Sequence, residues 1–225
     1  MNQVFISWSG GKDCCLAGYL ATLDGCQVRY LANTVSEDGQ RSRSHGLPSW
    51  VLREQSRAIG IPLVQRRTGQ DNYEAEFKDM LRGFRHEGID GGVFGDIDFI
   101  EHRQWVERVC QDVDITAHLP LWGRSQDKIL RDFISLGFEA MVVATKAELL
   151  GEEWLGRKID LNFIRDLAEL SKTREITPCG EAGEYHTLVT DGPLFQKRLE
   201  ITETRNIRRD EHWFLEIQKC ELKAK

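Results

Sequence analysis

The chain has 225 residues, with 30 lysines and arginines against 36 aspartates and glutamates and a formal net charge of −6. That length holds one large domain or two modest ones. The mild acidity argues against non-specific binding to nucleic acid. No apolar run reaches a membrane span and no basic-then-apolar leader opens the sequence, so a soluble cytoplasmic protein is expected. Six scattered cysteines, Cys14, Cys15, Cys26, Cys110, Cys179 and Cys220, form no C-x-x-C pair. This argues against zinc and dithiol chemistry and for reduced thiols.

Residues 4–6 (VFI) are an apolar run of the kind a buried parallel strand shows. Ser9-Gly10-Gly11-Lys12-Asp13 follows, and residues 14–23 read as a helix with small and apolar residues inward. Strand, glycine loop and helix together make an anion site. The glycines leave backbone N–H groups uncovered, the helix N-terminus adds free donors and a positive dipole end, and Lys12 adds a full charge. A phosphate is the expected guest. The loop is not a Walker A loop, which needs an earlier glycine where Ile6 stands and a Ser or Thr where Asp13 stands. Nor is it a dinucleotide fingerprint, since G-x-G-x-x-G is absent.

Residues 28–35 read as a second strand. Residues 36–47 form a polar, glycine-containing loop at its C-terminal end, where open α/β sheets bind ligands. Arg41, Arg43 and His45 there either meet phosphate or a carboxylate, or belong to a solvated loop. Pro48 opens a helix that Gly60 closes, and residues 61–64 are a short third strand. Residues 72–86 form an amphipathic helix whose stripe of Tyr73, Phe77, Met80, Leu81 and Phe84 is read as core. Residues 91–97 are a fourth strand running into a loop. Asp96 stands at its end, either as a ligand for magnesium or a ribose hydroxyl or as the cap of the next helix, residues 100–112. Residues 115–122 look like a fifth strand with a structural histidine, His118. Five alternations predict a Rossmann-like, five-stranded parallel sheet with helices on both faces and the first strand central.

The pattern changes after residue 123. Ser125 caps a helix that ends at Gly137, and residues 138–144 are a strand. Residues 147–159 read as mostly helical, broken by Gly151 and Gly156. Asp160 caps a helix through residue 174. Residues 197–208 and 212–222 form a hairpin with Trp213, Leu215 and Ile217 alternating. A smaller α+β domain, 124–225, is therefore expected to follow a nucleotide-binding domain, 1–123, and to pack over the C-terminal edge of its sheet. Trp213 and its hairpin offer an edge for a homo-oligomer. Residues 178–187 (PCGEAGEYHT) gather two glutamates, a histidine and two glycines. Glu181 and Glu184 can accept from an ammonium or hold a metal, and His186 can act as acid or base. The bland reading is a surface turn with solvated charges.

The glycine loop resembles the SGGKDS loop of the N-type ATP pyrophosphatases, of the adenine nucleotide alpha hydrolase-like superfamily, which split ATP to AMP and pyrophosphate. Cys14 stands where that pattern has a serine, so a thiol replaces a better donor. Residues 180–195 (GEAGEYHTLVTDGPLF) resemble the GE-x-GE-[FY]-x-T segment of the diphthine–ammonia ligase family. FGDI at 94–97, PLWG at 120–123 and WLGRKID at 154–160 resemble the same family in the same order. The resemblance implies an ATP-dependent amidation in which a carboxylate is adenylated, pyrophosphate leaves and ammonia displaces AMP. The acceptor it implies is diphthine on elongation factor 2. It assigns ATP to Ser9, Gly10, Gly11, Lys12, Asp13, Cys14, Gly95 and Asp96, and Mg2+ to Asp13 and Asp96. Lys12 then neutralises the departing pyrophosphate, Glu181 and Glu184 capture ammonium, and His186 is a weaker base. The loop at 36–47 is more similar to bacterial members, which implies another acceptor where the host makes no diphthamide. Three other readings stay open: a nucleotide-binding regulatory module without turnover, a tRNA-modifying enzyme that adenylates a base, and a Cys179 nucleophile. The second carboxylate cluster weighs against the first, the acidity and missing C-x-x-C against the second, and the absence of a His–Asn partner pattern against the third.

Overall fold

Val4, Phe5 and Ile6 alternate across β1 (Gln3–Ser7), so Val4 and Ile6 enter one apolar cluster and Phe5 another. The structure is a computed structural model and describes residues 2–225. β2 (Gln27–Val35) and β4 (Gly91–Val93) flank β1, both parallel to it. β3 (Leu63–Arg67) and β5 (Thr116–His118) complete a five-stranded parallel sheet in the order β3-β2-β1-β4-β5. α1 (Lys12–Leu23) and α2 (Ser49–Ile59) cover the Val4 and Ile6 face, while α3 (Tyr73–His86) and α4 (Ile100–Gln111) cover the Phe5 face. Phe77, Met80, Leu81 and Phe84 of α3 are buried, and Tyr73 lies over Phe77 at 6.3 Å. β1 is central and the chain order reverses beside it, which opens a crevice at the strand C-terminal ends.

The second sheet is antiparallel, in the order β7-β6-β9-β8. Its strands are β6 (Glu139–Lys146), β7 (Tyr185–Asp191), β8 (Arg198–Arg209) and β9 (His212–Lys223). α5 (Gln126–Ser135) and α6 (Leu161–Leu170) accompany them, and Asp160 caps α6 by accepting from Phe163 N at 2.8 Å. One apolar cluster runs from β1, α1 and α2 into α5, α6 and the second sheet, so the two sheets share a core. β7 lies against the loop after β1, where Val189 N donates to Gly10 O at 3.0 Å.

Three expectations are corrected. Residues 147–159 are not mostly helical: their only helical piece is a single 3-10 turn at Glu152–Trp154. Their backbone pairs with β6 instead, through Val142 N to Arg157 O, Gly156 N to Val142 O and Ile159 N to Ala140 O, each at 2.9 Å. Trp154 is buried there, edge-on to Phe163 at 5.5 Å with the Arg157 guanidinium 4.3 Å from its ring. The fifth strand pairs only over Thr116–His118, because Trp122 N turns back to Leu119 O and Gly123 N donates to Ile97 O. The helix expected to reach residue 174 ends at Leu170. No helix among the described residues is long and apolar enough to cross a membrane.

Candidate active site

The chain leaves the central strand through Ser9-Gly10-Gly11 and enters α1 at Lys12. Gly10 has φ +83°, and a Cβ there would lie 2.5 Å from Leu52 Cδ2, so only glycine fits both the turn and the packing. Gly95 closes the site from β4: a Cβ on it would stand 2.9 Å from the Asp13 carbonyl carbon and the Cys14 nitrogen. Gly11 is the N-cap of α1 and offers no side chain to cover the first-turn amides. Lys12 N donates to Thr187 Oγ1 at 3.0 Å, and Gly11 N to Ser9 Oγ at 3.3 Å. Cys14 donates its thiol to Gly11 O at 3.2 Å and accepts from Ser9 Oγ at 3.4 Å. Burial opposes ionisation of Cys14, but bonds from Cys15, Ser9 and the loop amides lower its pKa overall.

Lys12 is 3% exposed and joins the two halves of the chain. Its Nζ donates to Asp13 Oδ2 at 2.9 Å and to Cys179 O, and lies 5.1 Å from the Tyr185 ring centroid. Burial works most strongly against the charge, but Asp13, Tyr185 and Cys179 together outweigh it and hold the ammonium above the ordinary lysine value. Burial also raises Asp13 against the opposing pull of Lys12, and Asp13 Oδ1 is buried without a partner. Asp96, 3.5 Å from His102 Nδ1, is raised by burial with His102 opposing. Glu181 is pushed up to about 8 by burial and then by the Asp13 charge. One lysine thus faces three carboxyl groups across a cavity of about 280 Å3.

The other wall carries two imidazoles. His45 and His186 stack with centroids 4.5 Å apart and 20° between planes. His45 Nδ1 lies 3.2 Å from Thr187 O; a carbonyl only accepts, so Nδ1 carries the hydrogen and Nε2 is bare in the neutral ring. Burial, His186 and Lys12 hold His45 well below the ordinary histidine value. Burial and Lys12 bring His186 down to about 4. Both rings are therefore neutral at pH 7.

Most of the residues singled out in the sequence meet here. Ser9, Lys12, Asp13, Cys14, Gly95, Asp96, Glu181 and His186 all line the cavity. Gly10 and Gly11 shape the loop behind it. Glu184 does not line it, in contrast to the expected pairing with Glu181. It is 1% exposed, and its Oε1 accepts from Thr177 N at 2.5 Å, pinning the turn that presents Glu181. Arg41 and Arg43 also point elsewhere, to Gly46 O and Glu216 and to Thr68 O respectively. Of the three loop residues left open, His45 alone lines the cavity. Cys179 is buried and pushed up to about 12, first by burial, which disfavours the thiolate; its carbonyl accepts from Lys12. Sequence reasoning missed Tyr185 and Thr187, whose contacts lie about 175 residues from the loop. It also missed Gln55, which is fully buried and bonded to Gly10 O. No group of three or more His, Cys, Asp or Glu is placed to hold a metal among the described residues.

A glycine loop, buried lysine and helix N-terminus at the switch point of a doubly wound sheet are the site of a nucleotide-binding α/β protein. Two family models cover nearly the whole chain: the diphthamide synthase N-terminal domain over residues 2–117 and the diphthamide synthase C-terminal domain over 125–223. The chain belongs to the diphthamide synthase family. It is 30% identical to a diphthine–ammonia ligase of Schizosaccharomyces pombe over 96% of this chain and 38% of that protein. It is equally identical to one of Rattus norvegicus over 86% of this chain and 80% of that one. The chain thus spans less than half of the yeast relative. A solved structure of a predicted tRNA methyltransferase subunit from Methanocaldococcus jannaschii is 16% identical, with a TM-score of 0.46 over 85% of this chain and 98% of that one.

Proposed function

We propose that the protein is an ATP-dependent ligase that converts a carboxylate into an amide. An acceptor carboxylate oxygen attacks the α-phosphorus of ATP, the α–β bridging bond breaks, and pyrophosphate leaves with the electron pair. Ammonia then attacks the acyl carbon, the bond to AMP breaks, and the nitrogen gives up its surplus proton. The observation that carries this reading is the contact of the Lys12 ammonium with Cys179 O, which ties the phosphate loop to the segment bearing Glu181.

The loop amides and Lys12 offset the charge that develops on pyrophosphate. Glu181, once ionised, captures ammonium and accepts its proton. His45 and His186, neutral and unprotonated at Nε2 of His45, accept N–H or O–H groups on the opposite wall. Glu184 supports Glu181 rather than joining it. Asp13 and Asp96 fit a magnesium ion that arrives with ATP: Asp13 Oδ1 is buried and unpartnered, and Mg2+ is typically held by one or two carboxylates plus phosphates. Bound there, the ion would supply positive charge to the phosphate oxygens. The relatives' names support diphthine as the acceptor, and the resemblance adds elongation factor 2 as its carrier.

The test is product identity with magnesium, ATP, ammonium and diphthine-bearing elongation factor 2. Acceptor-dependent AMP and pyrophosphate, lost in Lys12→Ala, is the expected result. ADP and phosphate would sink the proposal.

A further inference from the structure

Gln55 lies in the middle of α2 and is fully buried. Its amide reaches three residues on two separate pieces of the chain. Oε1 accepts from Trp8 Nε1 at 2.8 Å, and Nε2 donates to Gly10 O at 2.9 Å and to Val189 O at 2.8 Å. An indole nitrogen can only donate, so the atom facing Trp8 is the oxygen and both hydrogens of Nε2 go to the carbonyls. Every donor and acceptor direction in this knot is thereby fixed. Val189 N adds a second bond to Gly10 O at 3.0 Å.

The consequence falls on the next peptide group. The Gly10–Gly11 peptide is planar and trans, so its carbonyl and its N–H point in opposite directions. A Gly10 carbonyl held inward by Gln55 and Val189 turns the Gly11 N–H outward. That N–H meets Ser9 Oγ, and Ser9 lines the cavity. Gly10 and Gly11 have no Cβ to resist rotation of this peptide, so the loop itself does not fix its direction.

We infer that Gln55 is a positioning residue of the phosphate loop: it holds the Gly10 carbonyl inward and so aims the Gly11 amide at a bound phosphate. The inference rests on the nucleotide reading of the site. Gln55 itself touches no phosphate; it acts through the backbone of Gly10.

Calorimetric titration with ATP and with adenosine separates this role from a general one in folding. In Gln55→Leu, ATP affinity falls about 10- to 100-fold, the worth of one hydrogen bond to a charged acceptor. Adenosine, which has no phosphate, keeps its affinity within about twofold. Gln55→Glu is nearly isosteric and still accepts from Trp8, but it sets an oxygen against two carbonyls; it gives the same ATP-selective loss should the leucine variant fail to fold. Unchanged ATP affinity in either folded variant, or parallel loss of ATP and adenosine, overturns the inference. Wild-type protein that binds no ATP overturns the nucleotide reading and the inference with it.

Discussion

Replacing Lys12 by methionine removes the ammonium that links Asp13, Cys179 O and the Tyr185 ring. Asp13 is then left among apolar and acidic neighbours with no counter-charge. Breaking a fully buried pair in this way costs about 3–5 kcal/mol. Asp13 keeps 22% side-chain exposure, so about 2–3 kcal/mol is expected here. The cost has a pH signature. Asp13 is already raised by burial, and losing Lys12 raises it further. A folded carboxyl with a raised pKa binds more protons than the unfolded one, so stability falls as pH rises. The deficit of Lys12→Met is therefore largest above pH 7 and shrinks towards pH 5. Lys12→Met with Asp13→Asn removes the stranded charge and recovers at least half of the loss. Urea unfolding of both single variants and the double variant at pH 5 and 8 measures the cycle. A Lys12→Met penalty that is the same at both pH values, or a double variant no more stable than Lys12→Met, would refute the reasoning.

Two further outcomes concern other parts of the molecule. Asp160→Ala removes the cap of α6 and should cost about 1 kcal/mol, read as a shift in urea midpoint at unchanged slope. Glu181, folded at about 8 against an ordinary value near 4.5, binds an extra proton in the native state between these values, so it draws stability down as pH rises from 5 to 9. Glu181→Gln should flatten that decline in melting temperature; an unchanged slope would remove Glu181 from the carboxyl cluster.

What could be read from the sequence was mostly local. β1, the glycine loop and α1 are contiguous, and their chemistry is written in adjacent residues. The five strand–helix alternations also sufficed to predict a parallel sheet with its first strand central, and the resemblance to the diphthamide synthase family is borne out by both family models. Residues 147–159 misled because their alanine, leucines and glutamates are strong helix formers. Their backbone found partners in β6, which no local pattern reveals. Glu181 and Glu184 look alike in composition and are separated only by which one turns inward to Thr177 N. Nothing local marks Gln55 within its helix, because its partners lie 45 to 134 residues away along the chain. His45 sits in an aperiodic loop, where sequence offers no direction for a side chain.

The contacts of Thr187 and Val189 with the phosphate loop have a consequence for how the protein is made. Ribosomal synthesis releases the loop before its clamps. A nascent chain that stops short of Tyr185 already has both loop glycines and the lysine, yet lacks the hydroxyl that caps Lys12 N and the amide that fixes Gly10 O. Closing such a span is slow compared with forming the helices beside it. Arrested chains of increasing length, probed for retention on immobilised ATP, should switch on only once β7 has emerged. The loop is thus expected to become competent only after a strand translated some 175 residues later has emerged.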